Sequence, residues 1–141
     1  MRKKMGKRIF IALALIGVLA AIIGGLIELG SPMQARLRRL DDRRVIDLQL
    51  IAASVDFFWT RHKRLPTSLM ELSKEPGMVL ISIRDPQTGR QYEYRILGGD
   101  KYQLCAHFAL DSGKEGQEIS FWSHGSGRWC YRLEAHKAAP P

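Results

Sequence analysis

The chain has 141 residues, with 22 Lys and Arg against 14 Asp and Glu and a formal net charge of +8. Setting aside the first 30 or so leaves enough chain for one domain with a modest core, small enough to benefit from a covalent staple. Arg2, Lys3, Lys4, Lys7 and Arg8 crowd the first eight residues, so the basic balance reflects membrane topology more than a nucleic-acid face, and no nucleic-acid partner is expected.

Residues 1–8 read as a basic tail. Behind it, Ile9 to Leu29 is a run of 21 residues in which only Glu28 is charged. At about 1.5 Å of rise per residue such a run spans roughly 30 Å, the thickness of a bilayer's hydrocarbon core. This predicts a single transmembrane helix over residues 9–29. Arg36, Arg38, Arg39, Arg43 and Arg44 follow it, so the count of flanking cations is nearly balanced. Two features set the orientation. A short basic tail ahead of an apolar run has the layout of a secretory signal, and the even cysteine count suits an oxidising compartment. The N-terminus is therefore expected in the cytoplasm of a bacterial inner membrane and the remainder in the periplasm. Val18-Leu19-Ala20 has the small residues of a cleavage site, but cutting there would leave an apolar end at Ala21 to Leu29, so retention as an anchor is expected. Gly17, Ala21 and Gly25 recur at four-residue steps and would line one helix face of the kind that lets helices approach in lipid. They form the candidate helix-association face, for another copy or for other membrane-protein subunits.

Gly30-Ser31-Pro32 punctuates the chain, with Ser31 suited to cap a helix and Pro32 to its first turn. From Met33 to about His62 no Gly or Pro interrupts. Leu37, Leu40, Leu48, Ile51, Val55, Phe58 and Trp59 fall mostly at three- and four-residue steps, an amphipathic helix. Its Arg- and Asp-rich first half is expected to stand clear of the domain, with Asp41 and Asp42 in weak surface pairs, and its second half to lie on a sheet. Arg64-Leu65-Pro66 ends it. Thr67 or Ser68 caps a short helix with Glu71 completing a capping box, and Gly77 closes it. Tyr92, Tyr94 and Ile96 alternate with polar residues, as do Tyr102, Leu104, Ala106 and Phe108 after Gly98-Gly99-Asp100, which predicts a hairpin. Ile119 to Trp122 and Arg128 to Leu133 read as further short strands, and residues 135–141 as a disordered tail. The class is α+β: an N-terminal transmembrane helix, then a long amphipathic helix packed on an antiparallel sheet of three to four strands, over a periplasmic domain at residues 33–134.

Cys105 and Cys130 fall in neighbouring strands of this reading. A bridge between them would contribute on the order of 3 kcal/mol by the loop-entropy account. His107, His124 and His136 raise a metal site as the competing use, but no Cys-x-x-Cys or His-x-x-x-His spacing exists and the bridge is favoured. Ser123-His124-Gly125-Ser126-Gly127 offers catalytic residue types, yet reads as a turn between strands, since a triad is defined by geometry and not by residue types alone. His62 is placed to meet the carbonyls at the end of its helix. Trp59, Trp122, Trp129, Phe57, Phe58 and Phe121 are placed as core residues before any role in base stacking. No catalytic residue, cofactor-binding residue or metal ligand is assigned.

The order of parts resembles the pseudopilins of type II secretion and, more loosely, type IV pilins. Leu65-Pro66-Thr67-Ser68-Leu69-Met70-Glu71-Leu72 is similar to their turn and short helix after the long helix, and Asp85-Pro86-Gln87-Thr88-Gly89-Arg90-Gln91-Tyr92-Glu93-Tyr94 to the segment leading into their first strand. The resemblance implies the pilin-like architecture over residues 9–133, a C-terminal disulfide, and calcium as the one ion to consider. Asp85, Asp100, Asp111, Glu115 and Glu118 are residue types that could supply oxygen ligands, in no EF-hand pattern, and the family's own ligand positions are not mapped onto them. The prepilin processing motif is lacking: Gly6 is followed by Lys7, and Ile11 stands where the family has Glu. The function expected is non-enzymatic, a structural or interaction subunit of a secretion, pilus-like or other membrane complex. The alternatives are an accessory subunit of an unrelated inner-membrane complex, such as one of electron transport, and a periplasmic ligand-binding domain or enzyme.

Overall fold

The computed structural model describes residues 2–28, 31–77, 82–114 and 120–136. The chain divides into two compact units, Met1–Arg36 and Leu37–Pro141.

The first unit is helical. Helix α1 runs Arg2–Glu28, and Ser31 O accepts from Ala35 N at 3.2 Å in the opening turn of α2, Pro32–His62. In α1 the side chains of residues 10–25 are all exposed, Phe10 to 73%. Among the described residues no helix is long and apolar enough to cross a membrane; the last residue of the expected 9–29 span, Leu29, lies outside them.

The second unit is α+β. Beyond Leu37, α2 buries one face through Leu48, Ile51, Ala52, Val55 and Phe58. It ends where Lys63 turns left-handed (φ 54°) and its amide donates to Trp59 O. Leu65 and Pro66 then enter the core. Helix α3, Leu69–Ser73, starts at Ser68, whose Oγ accepts from Glu71 N at 3.3 Å, while Glu71 Oε2 reaches back to Thr67 N at 2.6 Å. This is the expected capping box, shifted by one residue on its return bond. Gly77 does not close α3, which stops at Ser73 with Lys74 as its cap.

Strands β1 (Glu93–Gly98), β2 (Lys101–Phe108) and β3 (Gly127–Glu134) form one antiparallel sheet in the order β1-β2-β3. The hairpin closes tightly: Gly98 pairs with Lys101, and Gly98 and Gly99 take φ of 127° and 59°, which side-chain-bearing residues rarely adopt. Leu97 is the extra residue of a bulge there. Strand β3 pairs with β2 along its whole length, from Lys101–Glu134 to Phe108–Gly127. The inner sheet face brings Tyr102, Leu104, Ala106, Phe108, Tyr131 and Leu133 into one core with the buried face of α2, Leu69 and Leu72.

Two expectations are corrected and one is narrowed. The antiparallel sheet of three to four strands has three among the described residues; Phe121 and Trp122, in the segment read as a further strand, lie in a turn. The first half of α2 does not stand clear, since Asp41, Arg44 and Asp47 are all buried. The tail is ordered through His136: Ala135 is wholly buried and its amide donates to Asp100 O at 2.8 Å, and His136 N donates to Asp56 Oδ1 at 3.2 Å. Residues 137–141 lie outside the described residues.

The register of α2 separates two adjacent positions sharply. Ile51→Ala should cost about 3 kcal/mol of unfolding free energy through the lost burial and the cavity left behind. Leu50→Ala, one residue away on the exposed side, should stay within about 0.5 kcal/mol. Urea denaturation of both variants measures the contrast.

Candidate functional site

Helix α2 carries charge where a core helix ordinarily carries methyl groups. Arg44 is buried, and its guanidinium is divided among three acceptors. One edge meets Asp85, with Nε on Oδ2 and Nη2 on Oδ1 at 3.3 Å; Nη1 donates to Asp41 Oδ1 at 2.7 Å; Nη2 also reaches Gln87 Oε1 at 2.8 Å. Such a planar fork suits several fixed acceptors at once, which the single ammonium of lysine does not. Both carboxylates are themselves finished by backbone. Asp41 accepts from the amides of Ala109 and Leu110, and Asp85 from those of Gln87 and Thr88. One turn on, Asp47 Oδ2 accepts from the Tyr92 hydroxyl at 2.9 Å. Arg43 Nε lies 3.3 Å from Asp47 Oδ1, but that atom has no aligned hydrogen bond, so the contact is an ion pair only.

The segment resembling the pseudopilin loop is thereby positioned. Asp85 N donates to Arg90 O and Gly89 N to Asp85 O, with Gly89 at φ 69°, closing a turn whose tip is clamped to α2 by Arg44. Burial pushes the Asp85 carboxyl up, but the Arg44 guanidinium and the Thr88 and Gln87 amides outweigh it and hold the group at about 2. Tyr92 moves the other way, because burial and the neighbouring Asp47 both disfavour phenolate. This cluster holds the domain together. Apart from Asp47 Oδ1, its described side-chain donors and acceptors are engaged with one another and with backbone amides.

Asp85 is thus engaged by Arg44 and by the Gln87 and Thr88 amides. Asp111 Oδ1 accepts from Gly113 N at 2.9 Å, and Asp100 Oδ2 lies 3.5 Å from His136 Nδ1. Glu115 and Glu118 lie outside the described residues. Among the described residues no three His, Cys, Asp or Glu side chains gather as a metal site.

Three surfaces remain on which function can rest. The first is a second stripe of α2, formed by Ile46, Leu50 and Phe57 with Ala53, all exposed, on a different face from the buried stripe. Matching the sequence to a single helix face yields one apolar stripe; Ile46 and Leu50 extend the signal to a second. The second surface is a groove of about 480 Å³ between α2 and the segment after β2, lined by Asp42, Ile46, Gln49, Ser112, Trp122 and His124. His124 is buried, stacked on Phe108 with ring centroids 3.7 Å apart, and its Nδ1 has no hydrogen-bond partner among the described residues. Its backbone is fixed to Ser112, His124 N donating to Ser112 Oγ at 2.7 Å and Ser112 N to His124 O at 2.9 Å. The third is the outer face of the sheet, where Cys105 and Cys130 are directly opposed in register and joined by a disulfide. His62, expected at helix carbonyls, instead meets Glu75 Oε1 at 3.1 Å.

The small-residue face lies in the other unit. Gly17 and Gly25 are in α1 with Ala21, and a Cβ built on either glycine meets nothing within 4 Å among the described residues beyond its own helix backbone and chain neighbours. No protein-family model, curated protein or solved structure matches this chain.

The ion cluster generates a pH response of defined sign. Folding lowers the Asp85 pKa, so its pairing stabilises the fold above about pH 4 and that contribution drains away as the pH falls toward about 2, by at most about 2.5 kcal/mol. Denaturation midpoints between pH 6 and pH 2 should fall steeply in the parent and less so in Asp85→Asn. Arg44→Met should cost about 3–5 kcal/mol at neutral pH, because it strands two buried carboxylates. For His124, replacement by Phe keeps the stack and deletes the orphaned nitrogen, so stability should hold or rise by up to about 1 kcal/mol in the same assay.

Proposed function

We propose that this chain is a single-pass, membrane-anchored protein whose compact α+β head works outside the cytoplasm as a non-enzymatic structural or interaction subunit of a larger membrane complex. The observation that carries the reading is the apolar run from Ile9 to Leu29 behind a five-cation tail. It is supported by the exposure, among the described residues, of the largely apolar α1 side chains from Phe10 to Gly25. Lipid is the solvent that removes that cost. The Cys105–Cys130 bridge supports the oxidising side as the location of the head.

The order of parts, helix then α2 on a three-stranded antiparallel sheet, supports a pseudopilin-like architecture, with the Asp85–Tyr94 segment as its most specific stretch. Contact surfaces on this reading are the Gly17, Ala21 and Gly25 face in lipid and the exposed Ile46, Leu50 and Phe57 stripe on the head. The same surfaces serve an accessory subunit of an inner-membrane complex of another kind. A second reading, a ligand-binding head, is favoured by the groove lined by Asp42, Gln49 and His124, whose buried Nδ1 has no hydrogen-bond partner among the described residues.

Fractionation tests the anchor. The full-length chain should remain with membranes after alkaline extraction, and a reporter fused at the C-terminus should be active only outside the cytoplasm; recovery of the intact chain in soluble extract overturns the proposal. Leu at Gly17, Ala21 and Gly25 together should reduce the partners retained in mild detergent severalfold, since close helix approach in lipid needs small side chains. Unchanged partner recovery removes the lipid-embedded face from the reading.

A further inference from the structure

The outer face of the sheet is built as rows of side chains across three strands. Glu93 of β1 stands opposite Cys105 of β2, and Cys105 opposite Cys130 of β3. The row is therefore carboxylate, sulfur, sulfur. Arg128, in the neighbouring row of β3, extends across β2 to grip Glu93, with Nη2 on Oε2 at 2.6 Å and Nε at 3.1 Å from both oxygens. That reach lays the guanidinium over the intervening cysteine, and Arg128 Nη2 comes within 3.5 Å of Cys105 Sγ. The two sulfurs consequently differ. Cys105 is 3% exposed beneath the ion pair, while Cys130 is half-buried at the sheet edge.

Charge around the bridge is lopsided as well. Arg95 on β1, His107 on β2 and Arg128 on β3 all act on Glu93 and hold its carboxyl below the usual range. Arg132, on β3, is two residues beyond Cys130 on the same face. Glu93 is the carboxylate in the bridge's own row; Glu134, on the same face of β3, stands at the other end of the strand, paired with Lys101. A thiolate formed at Cys105 would meet a guanidinium already in place, and such a neighbour favours thiolate over thiol.

We propose that Cys105–Cys130 is a directional thiol–disulfide exchange site for an external dithiol, in which Cys130 is the sulfur attacked and Cys105 the sulfur released. The incoming thiolate bonds to Cys130 Sγ along the S–S axis from the exposed side. The Cys105–Cys130 bond breaks, and its electron pair leaves on Cys105 as a thiolate beside Arg128. The second thiol of the dithiol, as thiolate, then attacks its own sulfur in the mixed disulfide and releases Cys130. The dithiol becomes a disulfide, and the protein takes up two electrons and two protons. A lower leaving-thiol pKa speeds the first step. The bridge is not the sole tie on β3, which is also held by its pairing with β2 along its length and by Tyr131 and Leu133 in the core.

The experiment uses the full-length oxidised protein in mild detergent at neutral pH, without denaturant. Brief exposure to reduced glutathione, acid quenching and peptide mapping should find the mixed disulfide on Cys130 in about tenfold excess over Cys105. Two substitutions that break the same ion pair should then act in opposite directions on reduction by dithiothreitol. Arg128→Leu should slow it severalfold, and Glu93→Gln should speed it severalfold, because one removes the cation at the leaving sulfur and the other removes the carboxylate that neutralises it. Arg128→Lys should restore most of the parent rate. A mixed disulfide on Cys105, reduction that proceeds only at denaturing urea, or the same direction of change in both variants overturns the proposal. The last result would mean that the bridge responds only to loss of the surface pair.

Discussion

The domain depends on one guanidinium placed where no water can serve it. Arg44 is attached to α2 near the middle of its length, and it ties down two segments far along the chain. The turn at Asp85–Thr88 is held directly, and the end of β2 through Asp41, whose carboxylate holds the Ala109 and Leu110 amides. Burying three charges is expensive unless every lone pair and proton is answered. Here the answer is nearly complete, and it is backbone amides that complete it. The geometry is therefore fixed by hydrogen-bond direction as well as by apolar contact, in a domain whose core is small.

That cluster also marks where sequence reasoning reaches its limit. Arg43, Arg44, Asp41 and Asp42 read as a solvated helix surface because charge on a helix usually is one. The difference between Arg43, which is exposed, and Arg44, which is buried, is one residue of helical phase. Phase relative to the core is available from Leu40, Leu48 and Ile51, which share a face with Arg44, but phase does not say what would answer a charge there. The answer comes from Asp85 and from the Ala109 and Leu110 amides on Asp41, 41 and 68 to 69 residues away, and no local pattern announces them.

Local signals are more legible. The helix from Pro32 to His62, the hairpin at Gly98-Gly99, the capping box at Ser68 and Glu71 and the bridge between Cys105 and Cys130 are all written in spacings of a few residues or in a residue pair with few alternatives. Misreadings fall where polarity and position conflict. Composition puts Ala135 and His136 in a loose end, yet Ala135 fills the last gap of the core and its amide is tied to the β1–β2 turn. The candidate surfaces are legible only in part. The cysteine pair can be foreseen, but the arginine laid across one sulfur cannot, since it depends on which residues share a row in the sheet.

Every contact that closes the head joins distant stretches of chain: Arg44 to Asp85, Tyr92 to Asp47, Leu110 to Asp41. During synthesis α2 emerges first, carrying Asp41, Arg44 and Asp47 with none of their later partners except one another. Because loop closure must be completed before such contacts repay it, the head assembles late and as a whole. The apolar face of α2 from Leu48 to Phe58 is complete in its cover only when β3, the last strand in the chain, has paired with β2 and brought Tyr131 and Leu133 to the core.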